Sequence, residues 1–131
     1  MQRSSVDSDS TSRQSRDNPQ GDAAIVTKSG ASSPFLLLGD HAGRVIPSRL
    51  RRLGLREPEL SRHIAWDIGV AGLGERLSFA LDATFIAQRF SRLVIDCNRD
   101  PARADSIPGM SDGTIVPANQ ALTAAEREAR I

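Results

Sequence analysis

Two histidines occur in this chain, His41 and His63, and each stands near carboxylates. A neutral imidazole can ligate a metal or shuttle a proton, and a nearby carboxylate can fix its tautomer or join it as a ligand. His41 lies between Asp40 and Ala42-Gly43, in a short polar stretch that follows an apolar run. Asp40 is therefore a candidate orienter or ligand beside it, with a solvated loop histidine as the competing reading. His63 and Asp67 stand four residues apart, a spacing that puts both on one face of a helix. There one of them could act as ligand or orienter, or the two could form an ordinary surface pair. A second cluster is Asp96-Cys97-Asn98-Arg99-Asp100. The planar fork of Arg99 beside the Asn98 amide suits a substrate carboxylate, and the alternative is that Arg99 ties down its own loop through Asp96 or Asp100. Asp96 ends an apolar run, so if buried it needs a partner such as Arg99 or a loop amide. Cys97 is a candidate nucleophile, although no Cys-His arrangement is visible, and a packed inert thiol is the alternative. Ser111-Asp112-Gly113 has the composition of a turn in which Asp112 bonds its own backbone.

These residues need elements to position them. Residues 35–39 form a continuous apolar run after Pro34, which suits a strand covered on both faces, as in a parallel sheet. Gly39 and Gly43 then break it around Asp40-His41. Pro47-Ser48 opens a short basic helical turn through Leu53, stopped by Gly54. A helical period runs from 59 to 81, weakened by Gly69, Gly72 and Gly74 at about 1 kcal/mol each, so a bend or close packing is expected there. Residues 83–87 and 93–97 have the short β-branched or aromatic character of strands, and Trp66 and Phe85 that of core. Residues 98–120 form a long polar loop, and Thr123 with Glu126 makes a capping box opening a helix that Ile131 leaves unfinished. The expected fold is α/β, a partial and mostly parallel sheet with flanking helices, truncated at the C-terminus. The Asp40-His41 and Asp96-to-Arg99 clusters then both sit beyond strand ends on one edge of the sheet, where α/β folds keep their sites.

Composition narrows the class further. Residues 1–33 hold nine Ser, four Asp and four basic residues, and are expected to form a disordered tail. Residues 34–131 can then build one small core. A net charge of +1 with scattered arginines excludes a general polyanion binder, so no nucleic-acid partner is expected. No apolar run approaches the roughly 20 residues of a membrane span. The absence of an apolar signal region makes a cytoplasmic location the expectation. The single Cys97 forbids an internal disulfide and is too few for a zinc finger.

Four segments in order carry a resemblance: Asp40-His41-Ala42-Gly43, His63-Ile64-Ala65-Trp66-Asp67-Ile68-Gly69, Ile95-Asp96-Cys97-Asn98-Arg99, and Ser111-Asp112-Gly113-Thr114 with Pro117-Ala118-Asn119. From about residue 34 onward the chain resembles the N-formylglutamate amidohydrolase family. The resemblance implies a phosphorylase/hydrolase-like α/β fold similar to zinc exopeptidases. It also implies zinc-dependent hydrolysis of N-formyl-L-glutamate or a related N-acyl amino acid, a late step of histidine degradation. Under it His41 is similar to the first metal ligand and Asp67 to a second, while Asn98 and Arg99 resemble a carboxylate-binding pair. Family members are about twice as long, and their second half carries a further His motif and a late Glu. A fragment with the general base outside this chain is therefore expected. The alternative is a non-catalytic remnant that binds an amino-acid carboxylate, or a partner chain through an unfinished sheet. A cysteine hydrolase using Cys97 is a third reading.

Overall fold

The structure, a computed structural model, describes residues 21–131. Its main sheet comprises β1 (Ala24–Thr27), β2 (Leu36–Gly39) and β3 (Thr84–Gln88) in the order β1-β3-β2. β2 pairs parallel with β3, and β1 pairs antiparallel with it, so the sheet is mixed rather than mostly parallel. β1 also corrects the tail expected over residues 1–33, whose first twenty residues lie outside those described. Edge pairing uses backbone N–H and C=O groups, which composition does not register. Ile25 and Val26 favour a strand and need little burial, remaining 45% and 53% exposed.

Parallel pairing of β2 and β3 requires a crossover. It contains α1 (Glu57–Leu60) and α2 (Val70–Leu81). The single helix predicted over 59–81 is thus two helices, with turns between them. Gly69 stands before α2 at φ 90°, a left-handed backbone through which a right-handed helix cannot run. Further along, the glycines permit close packing. A Cβ at Gly74 would lie 2.2 Å from the Phe85 ring, so α2 sits directly on β3. Phe85, Ala87 and Ala42 form this small core, with Leu37, Val70 and Ala71 packed against it.

A second core joins Leu53, Leu55, Ala65, Leu93, Val94 and Val116, with Trp66 and Phe90 packed on its margin. Most of these residues come from segments without regular structure. The basic turn Ser48–Gly54 is a 3-10 helix that reverses hand at Arg51, Arg52 and Leu53, and this turns Leu53 fully inward. The strand predicted over 93–97 is instead a series of turns. Ser91 explains this: its Oγ accepts from Leu93 N at 3.2 Å and its carbonyl from Val94 N at 2.8 Å, a local alternative to a ladder. The apolarity of Leu93 and Val94 signals burial correctly, but not the form of the backbone.

Residues 98–120 are also more ordered than a plain loop. They hold a 3-10 turn at Ala104–Ser106, a hairpin of β4 (Met110–Ser111) and β5 (Thr114–Ile115), and a 3-10 turn at Pro117–Asn119. Buried Asn119 clamps them, its Nδ2 donating to the carbonyls of Leu93 and Pro108, both at 2.9 Å. The capping box opens α3 (Ala124–Glu128) as expected, with Glu126 N donating to Thr123 Oγ1 and Thr123 N to Glu126. Among the described residues no helix is long and apolar enough to cross a membrane.

Gly74→Ala should destabilise the chain by about 1–3 kcal/mol in denaturant unfolding, because overpacking against Phe85 exceeds the gain of roughly 1 kcal/mol in helix propensity. Lys28 Nζ stands 2.6 Å from the Asp82 carboxylate, and the Ser32 amide and hydroxyl also donate to it. Together they hold that group well below the usual carboxylate range. Its folded pKa is depressed, so its contribution is present above the unfolded value near 4 and is lost as pH falls below it. The melting temperature of Asp82→Asn should therefore fall below that of the parent at pH 7, and the gap should shrink toward pH 2.

Candidate metal and carboxylate site

His41 sits in the turn that ends β2, and the close approach of that turn to β3 explains its small residues. A Cβ on Gly43 would fall 2.1 Å from the Arg89 carbonyl oxygen. The buried His41 ring then faces two carboxylates. Its Nε2 is 2.7 Å from Asp96 Oδ1, and its Nδ1 is 3.4 Å from Asp67 Oδ2. Asp67 reaches this position because 61–69 is not helical. Its amide donates to the His41 carbonyl at 2.9 Å, which ties the two loops together. His63, expected on the same helix face, is exposed and lies 3.6 Å from Asp112 instead.

Arg92 completes the cluster. Its Nη1 is 3.3 Å from Asp67 Oδ1 and its Nη2 2.9 Å from Asp96 Oδ2. Burial raises the Asp96 pKa, but His41, the Asn98 amide and Arg92 outweigh it and leave the carboxyl below its ordinary value. An ionised Asp96 only accepts, so His41 Nε2 carries the proton and donates it. In the neutral ring the Nδ1 lone pair then faces the Asp67 carboxylate, across a gap too long for a good hydrogen bond. A proton on Nδ1 or a bound cation could bridge the two groups. Two ligands about 2.0–2.1 Å from a tetrahedral zinc stand about 3.4 Å apart, so this pair fits two of its corners. Among the described residues no group of three His, Cys, Asp or Glu side chains is placed to hold a metal. The donor set is thus one nitrogen and one carboxylate, where catalytic zinc ordinarily takes three protein ligands.

Asp40, weighed as the orienter of His41, is exposed and has no hydrogen bond to it; Asp96 fills that place. Asn98 and Arg99 follow Asp96 through a turn in which Asp96 Oδ1 accepts from Asn98 N at 3.0 Å. Both residues are exposed. The Arg99 guanidinium is engaged, with Nη1 at 2.6 Å from Asp105 and Nε at 3.5 Å from Asp96. It ties down its loop, but through Asp105 and Asp96 rather than Asp100. Cys97 is exposed rather than packed. Partial burial of its thiol and the carboxylates of Asp40 and Asp96 raise its pKa, which opposes an activated nucleophile.

The remaining motif residues support these loops. Arg62 donates to Thr114 Oγ1 at 2.8 Å and to Asp112 Oδ2 at 2.6 Å, which binds the hairpin to the His63-to-Gly69 segment. A cavity of about 550 Å³ opens beside Asp96, Cys97 and Arg99 and is also lined by Arg49, Gln88 and Arg130. Another of about 510 Å³ lies between Arg49, Pro117 and Ala129 and reaches none of the candidate residues. Neither cavity includes His41 or Asp67, so the site rests on side-chain geometry and not on concavity. Arg92 escaped the reading of the sequence; its only signal there is its place four residues before Asp96.

The family model described as N-formylglutamate amidohydrolase matches residues 33–131. A search of curated proteins finds no match. Among solved structures, the chain is similar to a gene product of Agrobacterium tumefaciens known from its crystal structure. The two share 42% identity with a TM-score of 0.82, over 84% of this chain and 44% of that one. This chain therefore spans less than half the length of that relative. With the motifs in order and the match running from residue 33 to residue 131, the chain belongs to the N-formylglutamate amidohydrolase family.

Proposed function

We propose that this chain carries part of the site of a metal-dependent amidohydrolase that acts on N-formyl-L-glutamate or a related N-acyl amino acid. The observation that supports it most is buried His41, hydrogen-bonded to Asp96 on one side and turned toward Asp67 on the other. His41 Nδ1 and Asp67 Oδ2 would hold zinc. When bound, zinc supplies a water whose pKa is lowered toward about 7 and polarises the amide carbonyl. Asp96 keeps the proton on His41 Nε2 and so presents the Nδ1 lone pair to the site. Arg92 fixes both carboxylates and limits their mutual repulsion.

Asn98 and Arg99 would grip the substrate carboxylate and aim the acyl group at the metal-bearing side. Arg99 must then exchange Asp105 for substrate. Both partners of that ion pair are well exposed, so the exchange is inexpensive. No general base is assigned among the described residues. Two candidate ligands in place of three favour a second reading, a non-catalytic protein that binds an amino-acid carboxylate through Asn98 and Arg99.

Zinc titration followed by elemental analysis should give about one zinc per chain. His41→Ala should abolish that binding, and Asp96→Asn should weaken it by about 10–100-fold. Unchanged stoichiometry in His41→Ala would remove His41 from the ligand set. Arg99→Ala should weaken N-formyl-L-glutamate binding by about 10–100-fold in calorimetry, the worth of a charge-assisted contact of roughly 1.5–3 kcal/mol. Formate release that a chelator stops and zinc restores would support the hydrolase. Ligand bound without hydrolysis in the zinc-loaded protein would support the second reading.

A further inference from the structure

Arginines far apart in the sequence converge on one cleft. It has a volume of about 510 Å³ and lies between the 3-10 turn Ser48–Gly54 and α3, with Arg49, Arg51 and Arg130 on its walls. Among the described residues none of the three meets a carboxylate. Arg49 Nη2 donates to the Ala129 carbonyl at 3.4 Å, and Arg130 Nη1 to the Val94 carbonyl at 3.3 Å and Asn119 Oδ1 at 2.7 Å, all neutral acceptors. Burial and the charges of Arg49 and Arg127 push the Arg130 guanidinium below its ordinary pKa, while Glu126 pulls the other way. Glu126 is the one carboxylate on these walls, and it is already engaged by the Thr123 amide and hydroxyl at 2.8 and 2.7 Å. Three guanidinium groups against one carboxylate leave the cleft with positive charge that the chain does not neutralise.

The backbone of the turn is strained here. Arg51, Arg52 and Leu53 take left-handed angles, with φ 46°, 57° and 57°, which L-residues rarely adopt. Leu53 is buried in the core and Arg52 Nη2 is bound to Glu57 at 2.6 Å. Arg51 has no such anchor among the described residues, and the same reversal of hand leaves it on the wall of the cleft. Strain of this kind collects at ligand sites. Leu50, Pro117 and Leu122 add an apolar wall, and the volume suits a small organic molecule.

We propose that this cleft binds a phosphate monoester with a small apolar body, its phosphate held by Arg49, Arg51 and Arg130 and its body set against Leu50, Pro117 and Leu122. A phosphate presents three acceptor oxygens and nearly two negative charges near pH 7, which suits three guanidinium groups; a planar carboxylate is satisfied by one arginine fork. The neighbouring cavity shares Arg49 and Arg130 but not Arg51, and belongs with Asp96 and Arg99 to the site described above. The cleft includes none of His41, Asp67, Asn98 or Arg99, so the inference is independent of zinc and of hydrolysis.

The test is calorimetric titration of phenyl phosphate into the chain at low ionic strength, with inorganic phosphate and phthalate as comparison probes. Phenyl phosphate should bind about tenfold tighter than either. Arg51→Gln and Arg49→Gln should each weaken it by about tenfold, the share of one charge-assisted contact. The melting temperature of Arg51→Gln should not fall, since that side chain has no contact to lose. Arg76→Gln, which removes a charge from the exposed surface of α2, should change the affinity by less than about twofold. Absence of binding at millimolar phenyl phosphate, equal affinity for phthalate, or an affinity that Arg51→Gln leaves unchanged overturns the proposal. So does an equal loss in Arg76→Gln, or a loss in Arg99→Gln with none in Arg51→Gln, which would put the anion in the neighbouring cavity.

Discussion

A buried imidazole set between two carboxylates dictates what may surround it. The His41–Asp96 hydrogen bond, 2.7 Å long, joins residues 55 positions apart, and both partners are almost wholly withdrawn from water. Removing either side of such a pair leaves an uncompensated polar or charged group, a loss of about 3–5 kcal/mol when the pair is ionic. Asp96 is therefore held from several directions at once, by His41, by the Asn98 amide and by Arg92. Each of those contacts places another segment. Arg92 brings in Asp67, and the Asn98 turn carries Arg99 to the same side of the molecule.

That network stands on a core built mainly by loops. Leu53, Leu93, Val94 and Val116 are almost entirely buried, yet none lies in an α-helix or a strand of the main sheet. Side-chain clamps replace regular hydrogen bonding there: Ser91 Oγ donates to the Ala65 carbonyl at 2.6 Å, and Asn119 spans Leu93 and Pro108. The three-stranded sheet contributes something different. It ends at the His41 turn and fixes where that turn begins, with Gly43 against the β3 backbone.

What could be read from residues alone follows this division. β2 and β3 are short, dense in apolar or β-branched residues and bounded by glycine or polar residues, so local composition suffices. The Thr123–Glu126 box is equally local, since donor and acceptor lie three residues apart. The helix over 59–81 fails because its period continues through Gly69, whose left-handed backbone a periodicity count does not register. Leu93 and Val94 show the apolarity of a strand without its pairing, because Ser91 captures their amides. β1 is invisible because its stability comes from backbone pairing with β3 and not from its own burial. In the site, His41, Asn98 and Arg99 stand out as candidates by residue type, whereas the four-residue spacing of His63 and Asp67 suggests a shared helix face that the turns of 61–69 do not provide. The roles of Asp96 and Arg92 depend on contacts to residues 25 and 55 positions away, which no local pattern records.

The central claim is that His41 is held by Asp96 through Nε2 so that Nδ1 can take a cation beside Asp67. Nitrogen-15 NMR of the two imidazoles during a zinc titration tests it directly. The account predicts that His41 Nε2 keeps its proton while the Nδ1 resonance moves with zinc, and that His63 does not respond. A zinc-dependent change at Nε2 with loss of its proton, or no change at either nitrogen of His41, would contradict it.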